Sequence, residues 1–307
     1  MINRIIIRIK VLLIVYAYYQ NENKDLKSAE NELMYGLSKS YDLYHYLLLL
    51  IPALTLREQK RIDKRKSKYL ATEEDKNPNT RLANNRFAEQ LRINKQLLTF
   101  FNEKGSIWTD EDTFLENLLD QILSSEFYTE YLDNPDNYDS DKYFWRRVFK
   151  NLIQIDSDLF DLLEDKNIYW NDDLIIIGSF VQKTLRCFDE STNPEQPLLP
   201  MFKDEEDRLF AIKLLRKTIL ESSSYIERIE RHIKNWDIDR VACIDLYIIQ
   251  IAMAELLNFP TIPVNVTLNE YIDIAKFYST SKSSIFINGT LDAIVKELKT
   301  EEILFKN

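Results

Sequence analysis

An almost entirely α-helical fold is predicted for this 307-residue chain by three observations. Glycine is scarce, 4 in all, where average usage would give roughly 20 at this length. Apolar residues recur at three- and four-residue spacing along much of the chain. The hydrophobic share, 45%, is ample for a core, and the length suits about two domains. β-Sandwiches, dinucleotide folds and phosphate loops need glycine at positive φ. Gly36, Gly105, Gly178 and Gly289 are too scattered for any two to share a GxGxxG or GxxxxGK loop, which argues against nucleotide-dependent enzymes. Cys187, Cys243, His45 and His232 are the whole stock of soft ligands, and none sits at CxxC or HxxxH spacing. No metal or cofactor site is therefore expected. Cys243, inside the run VACIDLYIIQIAMAELL, is expected as a buried free thiol in a reducing, cytoplasmic compartment.

The elements follow in order. Arg4, Arg8 and Lys10 precede a nine-residue stretch from Val11 to Tyr19. A membrane span needs about 20 apolar residues, and a secretory leader ends in small residues, whereas Tyr18, Tyr19 and Gln20 lead straight into charge. The stretch reads as a core helix with Arg4 and Arg8 one turn apart on one face. Residues 27–53 carry a second helical pattern through Leu33, Leu37, Leu43, Leu47 and Leu50, expected to close at Pro52. From Arg57 to Lys68 seven basic residues meet two acidic ones, a local inversion in a chain of net charge −10. Between Asp110 and Asp141 lie eleven acidic residues and no Lys or Arg.

Helical patterns continue over 143–163 and 172–188, and three prolines between Ser191 and Pro200 mark a boundary. One long helix is expected from Asp204 to Trp236, with Leu209, Ile212, Leu215, Ile219, Ile226, Ile229 and Ile233 on its apolar rows. Asp237 would cap a helix over Asp239 to Asn258 that buries Val241, Ile244, Ile248, Ile251 and Leu256. The segment Pro260 to Pro263 stops it, and a helix over 264–279 and a last helix complete a compact bundle. Gly289, early in that last helix, is expected where a neighbouring backbone packs closely, so that a β-carbon there would intrude.

The last seventy residues carry a set of short signatures in order: Asn235-Trp236, Ile238-Asp239-Arg240, Glu255-Leu256, Pro260 to Pro263, Asn269-Glu270, Ala275-Lys276 and Phe286-Ile287-Asn288-Gly289-Thr290-Leu291-Asp292. In this order and spacing the segment resembles the C-terminal domain of the NusB transcription-antitermination family. Residues 208–233 look like that family's preceding helix, and the opening RIIIRIKVLLIVYAYYQ looks like its first, with its arginine-rich RNA-binding motif. The resemblance implies an all-α, two-subdomain bundle. Residues 1–53 and 202–236 would form one helical half and 237–307 the other, with a helical insertion at 54–201 that has no counterpart in short family members.

The resemblance also implies a non-enzymatic function in ribosomal RNA operons. Family members bind the single-stranded boxA element together with NusE, a small-subunit ribosomal protein, in an RNA polymerase antitermination complex. NusB-like domains also occur fused to ribosomal RNA cytosine methyltransferases, but this sequence has neither the glycine-rich cofactor domain nor the cysteine motif such an enzyme needs. The competing reading is a ribosome-assembly or protein-interaction factor with weak RNA affinity. It draws on departures from the family pattern: Ile5 and Ile6 stand where Arg is frequent, and Val264 and Asn265 where an aromatic and a basic residue are frequent.

Candidate RNA-binding residues are Arg4, Arg8 and Tyr16, which take family positions in the first helix, with Lys10 beside them, and Lys282, Ser283 and Phe286 at the last loop-to-helix junction, near which family members approach RNA. The basic segment adds Lys60, Arg61, Lys64, Arg65 and Lys66, since neutralising phosphates depends on charge count and reach. Each has a plainer alternative: surface charge for the arginines, core packing for Tyr16, anchoring of the last helix for Phe286. For the basic segment the alternatives are a solvated helix face or pairing with the acidic stretch 110–141. Glu255, Asn269 and Glu270 are expected to make caps and interhelix hydrogen bonds.

Overall fold

The computed structural model describes residues 1–22, 24–70, 72–233, 241–280 and 282–305. The expected cap Asp237 and the signatures Asn235-Trp236 and Ile238-Asp239-Arg240 lie outside the described residues. The described residues hold no named strand and form fifteen α-helices: α1 Arg4–Gln20, α2 Leu26–Lys66, α3 Glu73–Lys76, α4 Arg86–Ile93, α5 Lys95–Lys104, α6 Asp112–Ser124, α7 Glu126–Asp133, α8 Tyr138–Asn151, α9 Ser157–Lys166, α10 Asp173–Cys187, α11 Glu205–Leu220, α12 Ser222–His232, α13 Cys243–Asn258, α14 Val264–Tyr278 and α15 Ser283–Thr300. The chain divides into two compact units. One comprises Met1 with Lys39–Met201, and the other Ile2–Ser38 with Phe202–Asn307.

Apart from Met1, the first unit runs from Lys39, within α2, to Met201. Pro52 does not close α2, which runs on for a total of 41 residues. A proline inside a helix costs about 3 kcal/mol, but Leu50, Ile51, Leu54 and Ile62 around it are completely buried, and each contributes roughly 1.5 to 3 kcal/mol. Burial wins over the missing hydrogen bond. The helical pattern at 143–163 resolves into α8 and α9 because the chain turns at Leu152 and Asp156, whose carboxylate accepts from the backbone N–H of Leu159 and so starts a new helix. Between the 3₁₀ turn at Glu190–Thr192 and α11 the proline-rich segment forms no helix, as expected.

The second unit is organised by α13. Nine consecutive residues, Ile248 to Leu256, are buried there, the mark of a helix covered on all sides. It packs against α1, α11, α12, α14 and α15. Its polar residues are satisfied from those neighbours. Ser279 donates to Asp245, Ser222 Oγ lies 3.1 Å from Gln250 Oε1, and Glu255 is held as described below. The helix begins at Cys243 rather than Asp239, so Val241 and Ile244 are only half-buried. Both cysteines, Cys187 and Cys243, are exposed, which corrects the expected buried thiol: Cys243 stands in the first turn, ahead of the covered portion.

The single helix expected from Asp204 to Trp236 is two, broken at Glu221 (φ −102°, ψ 10°). Three serines, 222 to 224, follow the break, and serine side chains compete with the helical backbone for hydrogen bonds. The Glu221 carboxylate accepts from Lys217 and Tyr225 on either side of it. Leu209 lies outside the core, and Phe210, Ala211, Leu214 and Leu215 form the buried face of α11. Gly289 is exposed on α15, and a β-carbon built there would meet nothing within 4 Å. The close approach expected at this glycine does not exist.

Candidate nucleic-acid interface

The residues expected to form one basic, RNA-facing helix end are sorted by α1 into different environments. Asn3 caps α1 by accepting from the N–H of Ile6, and the helix then turns Ile6, Ile7, Val11, Leu12 and Val15 into the core. Arg8 lies on that inward side. Its Nε and Nη2 donate to the two carboxylate oxygens of Glu255, both at 2.8 Å, and Nη1 donates to Glu270 at 3.2 Å. Thr267 and Tyr271 also donate to Glu255. Arg8 is 3% exposed and Glu255 is fully buried. Burial by itself would lower the Arg8 pKa, but the hydrogen bonds and charge of Glu255 hold it above the ordinary arginine value. A guanidinium so occupied has nothing to offer a phosphate, so Arg8 is a tie between helices. Lys10, 4% exposed, is also removed from the surface.

Arg4 is intermediate. It pairs with Glu206 at 2.6 Å and Asp207 at 3.2 Å and lies 5.0 Å from the Phe210 ring centroid. Those carboxylates belong to the first turn of α11, where the helix dipole favours negative charge, so Arg4 is already neutralised.

Tyr16 keeps 42% of its surface exposed. It stands edge-on to Tyr247 at the head of α13, and Tyr19 stacks on the Tyr247 ring, 5.1 Å between centroids and 14° between planes. The Lys24 ammonium lies 5.4 Å from the Tyr19 centroid. Neither Tyr247 nor Lys24 stands out in the sequence. Tyr247 is hidden inside an apolar run, and Lys24 looks like part of a polar loop. Three tyrosines with one adjacent cation make the kind of surface on which unpaired bases stack.

The α14–α15 junction meets α13 at the same end. Ser279 bonds Asp245 and Ser283, and Thr280 bonds Ser283. Ser283 is thereby buried and spent on structure, whereas Lys282 is exposed and Phe286 half-buried. Asp245 and Tyr247 are two residues apart, about 200° around a helix. The tyrosine group and the Lys282 corner therefore flank the start of α13 on opposite sides.

The NusB family model matches residues 182–296. The transcription antitermination protein NusB of Salinibacter ruber is 39% identical over 132 residues, 41% of this chain and 82% of that protein. The corresponding protein of Geotalea daltonii is 35% identical over 135 residues, 44% of this chain and 90% of that protein. This chain belongs to the NusB family. No solved structure matches. Within this NusB-family chain the described signature residues mostly build the bundle. Glu255 and Glu270 hold Arg8, while Ala275, Ile287 and Leu291 are core.

In the other unit, the basic end of α2 is partly consumed by the acidic stretch. Arg57 pairs with Asp112 and Glu116, both at 2.6 Å, and Arg61 with Glu116 at 3.4 Å and Asp120 at 2.6 Å. Arg65 lies 3.5 Å from buried Glu58. Burial pushes the Glu58 carboxyl above the usual range, and Arg61 and Arg65 draw it back. Lys60, Lys64 and Lys66 are exposed and have no carboxylate within 4 Å among the described residues. Among the described residues no helix is long and apolar enough to cross a membrane.

Proposed function

We propose that this chain is a non-enzymatic, RNA-binding transcription antitermination factor of ribosomal RNA operons. It binds boxA-like single-stranded RNA together with NusE within an RNA polymerase antitermination complex. Family membership over the matched region supports the role. The observation that carries the RNA reading is the Tyr16–Tyr247–Tyr19 group with Lys24 beside it. Stacking is tolerant of base identity, and each stacked base is worth roughly 1 to 3 kcal/mol. Because the net charge is −10, the chain alone opposes RNA, and the partner is needed to add basic surface.

A second reading, a ribosome-assembly or protein-interaction factor with weak RNA affinity, is favoured by one observation: Arg4 and Arg8 are both taken up by carboxylates. Titration of a boxA-like single-stranded RNA with the full chain, with and without NusE and across a salt series, separates the two. Binding that appears clearly only with NusE and weakens with salt supports antitermination. Equal, weak binding with and without NusE overturns the cooperative reading.

A further inference from the structure

The Lys39–Met201 unit contains an apolar cleft of about 410 Å³ between the middle of α2, α5 and the start of α6. Pro52, Leu97, Trp108 and Leu115 are buried in its walls, while Leu56, Leu98 and Phe101 stand at the mouth 42–50% exposed. The polar groups of the floor are spent. The Trp108 indole N–H donates to the Tyr46 carbonyl at 2.7 Å, leaving the ring to offer carbon. The volume falls within the range of small-molecule sites, and an apolar lining of this kind in contact with water gains by being covered.

Charge narrows the ligand class. Three cations line the cleft, Arg57, Lys60 and Arg92, against a single carboxylate, Asp112. Arg57 is matched by Asp112 and Glu116, and Arg92 by Glu89 at 2.6 Å. Lys60 has no carboxylate within 4 Å among the described residues. One uncommitted ammonium beside an apolar cleft complements one negative charge on an apolar body, and it is a poor match for a polyanion.

We propose that this cleft binds a small amphiphilic monoanion of the acyl-carboxylate class, its chain between α2 and α5 and its carboxylate at Lys60. The cleft does not use the Tyr16–Tyr247–Tyr19 group, which belongs to the other unit. Decanoate, decanol and decyltrimethylammonium, each below its micelle concentration, are the probes, titrated calorimetrically into the full chain. Saturable one-to-one binding of decanoate, tighter than of decanol and much tighter than of the cation, is expected. Lys60→Gln should weaken decanoate about three- to fivefold, as loss of a solvent-exposed ion pair does, and leave decanol unchanged. Phe101→Ser, at an exposed position, should weaken both with an unchanged melting curve. Non-saturable uptake, equal affinity for decanoate and the cation, or decanoate binding that ignores both substitutions would overturn the proposal.

Discussion

Arg8 and Glu255, 247 positions apart in sequence, face each other through two hydrogen bonds of 2.8 Å with both side chains out of water. Taking both charges from water is costly, and the pairing recovers that cost only because Thr267, Tyr271 and Glu270 complete the shell. Removing one partner strands the other. Glu255→Ala should lose about 3 to 5 kcal/mol in urea unfolding, whereas Arg8→Met combined with Glu255→Leu should recover most of it. A Glu255→Ala protein as stable as its parent would show that the pair contributes little.

Glu297 supplies a pH-dependent clasp between α12 and α15. Burial would raise its pKa, but His232 at 2.9 Å and Arg228 at 3.0 Å hold it down to about 2 from an ordinary 4.5. A depressed carboxyl contributes fully above its unfolded value, and the contribution is lost as pH falls from about 4.5 through about 2. Allowing for solvent screening at a part-exposed site, about 1 to 2 kcal/mol is at stake. The stability gap between parent and Glu297→Gln should shrink across that window in denaturant titrations at pH 6, 4 and 3. A gap that stays constant would rule the clasp out.

Gly289 should be replaceable. With open space around a built β-carbon and an ordinary helical position, Gly289→Ala should raise stability by about 0.5 to 1 kcal/mol through helix propensity. A lower melting temperature would mean that the glycine serves a purpose outside the folded chain's own packing.

For RNA, Tyr16→Ala should weaken boxA binding by about 1 to 3 kcal/mol, and Lys282→Ala should weaken it while leaving the melting temperature unchanged. Replacing Lys60, Lys64 and Lys66 by Gln should lower affinity and flatten the logarithmic salt slope by up to about 0.7 for each phosphate no longer neutralised. Tighter binding in the triple variant would place the RNA surface elsewhere.

The helices were largely legible because apolar spacing is a local property, and the buried Leu33, Leu37, Leu43, Leu47 and Leu50 follow it. Breaks were less legible. Pro52 is a strong local stop overruled by burial supplied from distant parts of the chain, while Glu221 ends α11 with no proline or glycine to announce it. At the candidate site, sequence gives charge without giving its counter-charge. Arg8 and Lys282 are both cations near helix starts. Only the folded chain shows that one meets Glu255 and the other meets solvent. The expected interhelix roles of Glu255 and Glu270 are seen, and the pairing of the basic segment with the acidic stretch, one of three alternatives, holds for Arg57 and Arg61.

The division of the second unit into Ile2–Ser38 and Phe202–Asn307 sets a timetable for synthesis. The first helix leaves the ribosome with Ile6, Ile7, Val11 and Leu12 uncovered, and the helices that cover them, α11 and α13, are translated only after the whole intervening unit. At 5 to 20 residues per second, Arg8 waits roughly 10 to 50 s for Glu255 to be made. Throughout that interval the nascent chain carries a sticky amphipathic segment that chaperones, or early completion of the intervening unit, must keep from the wrong partners.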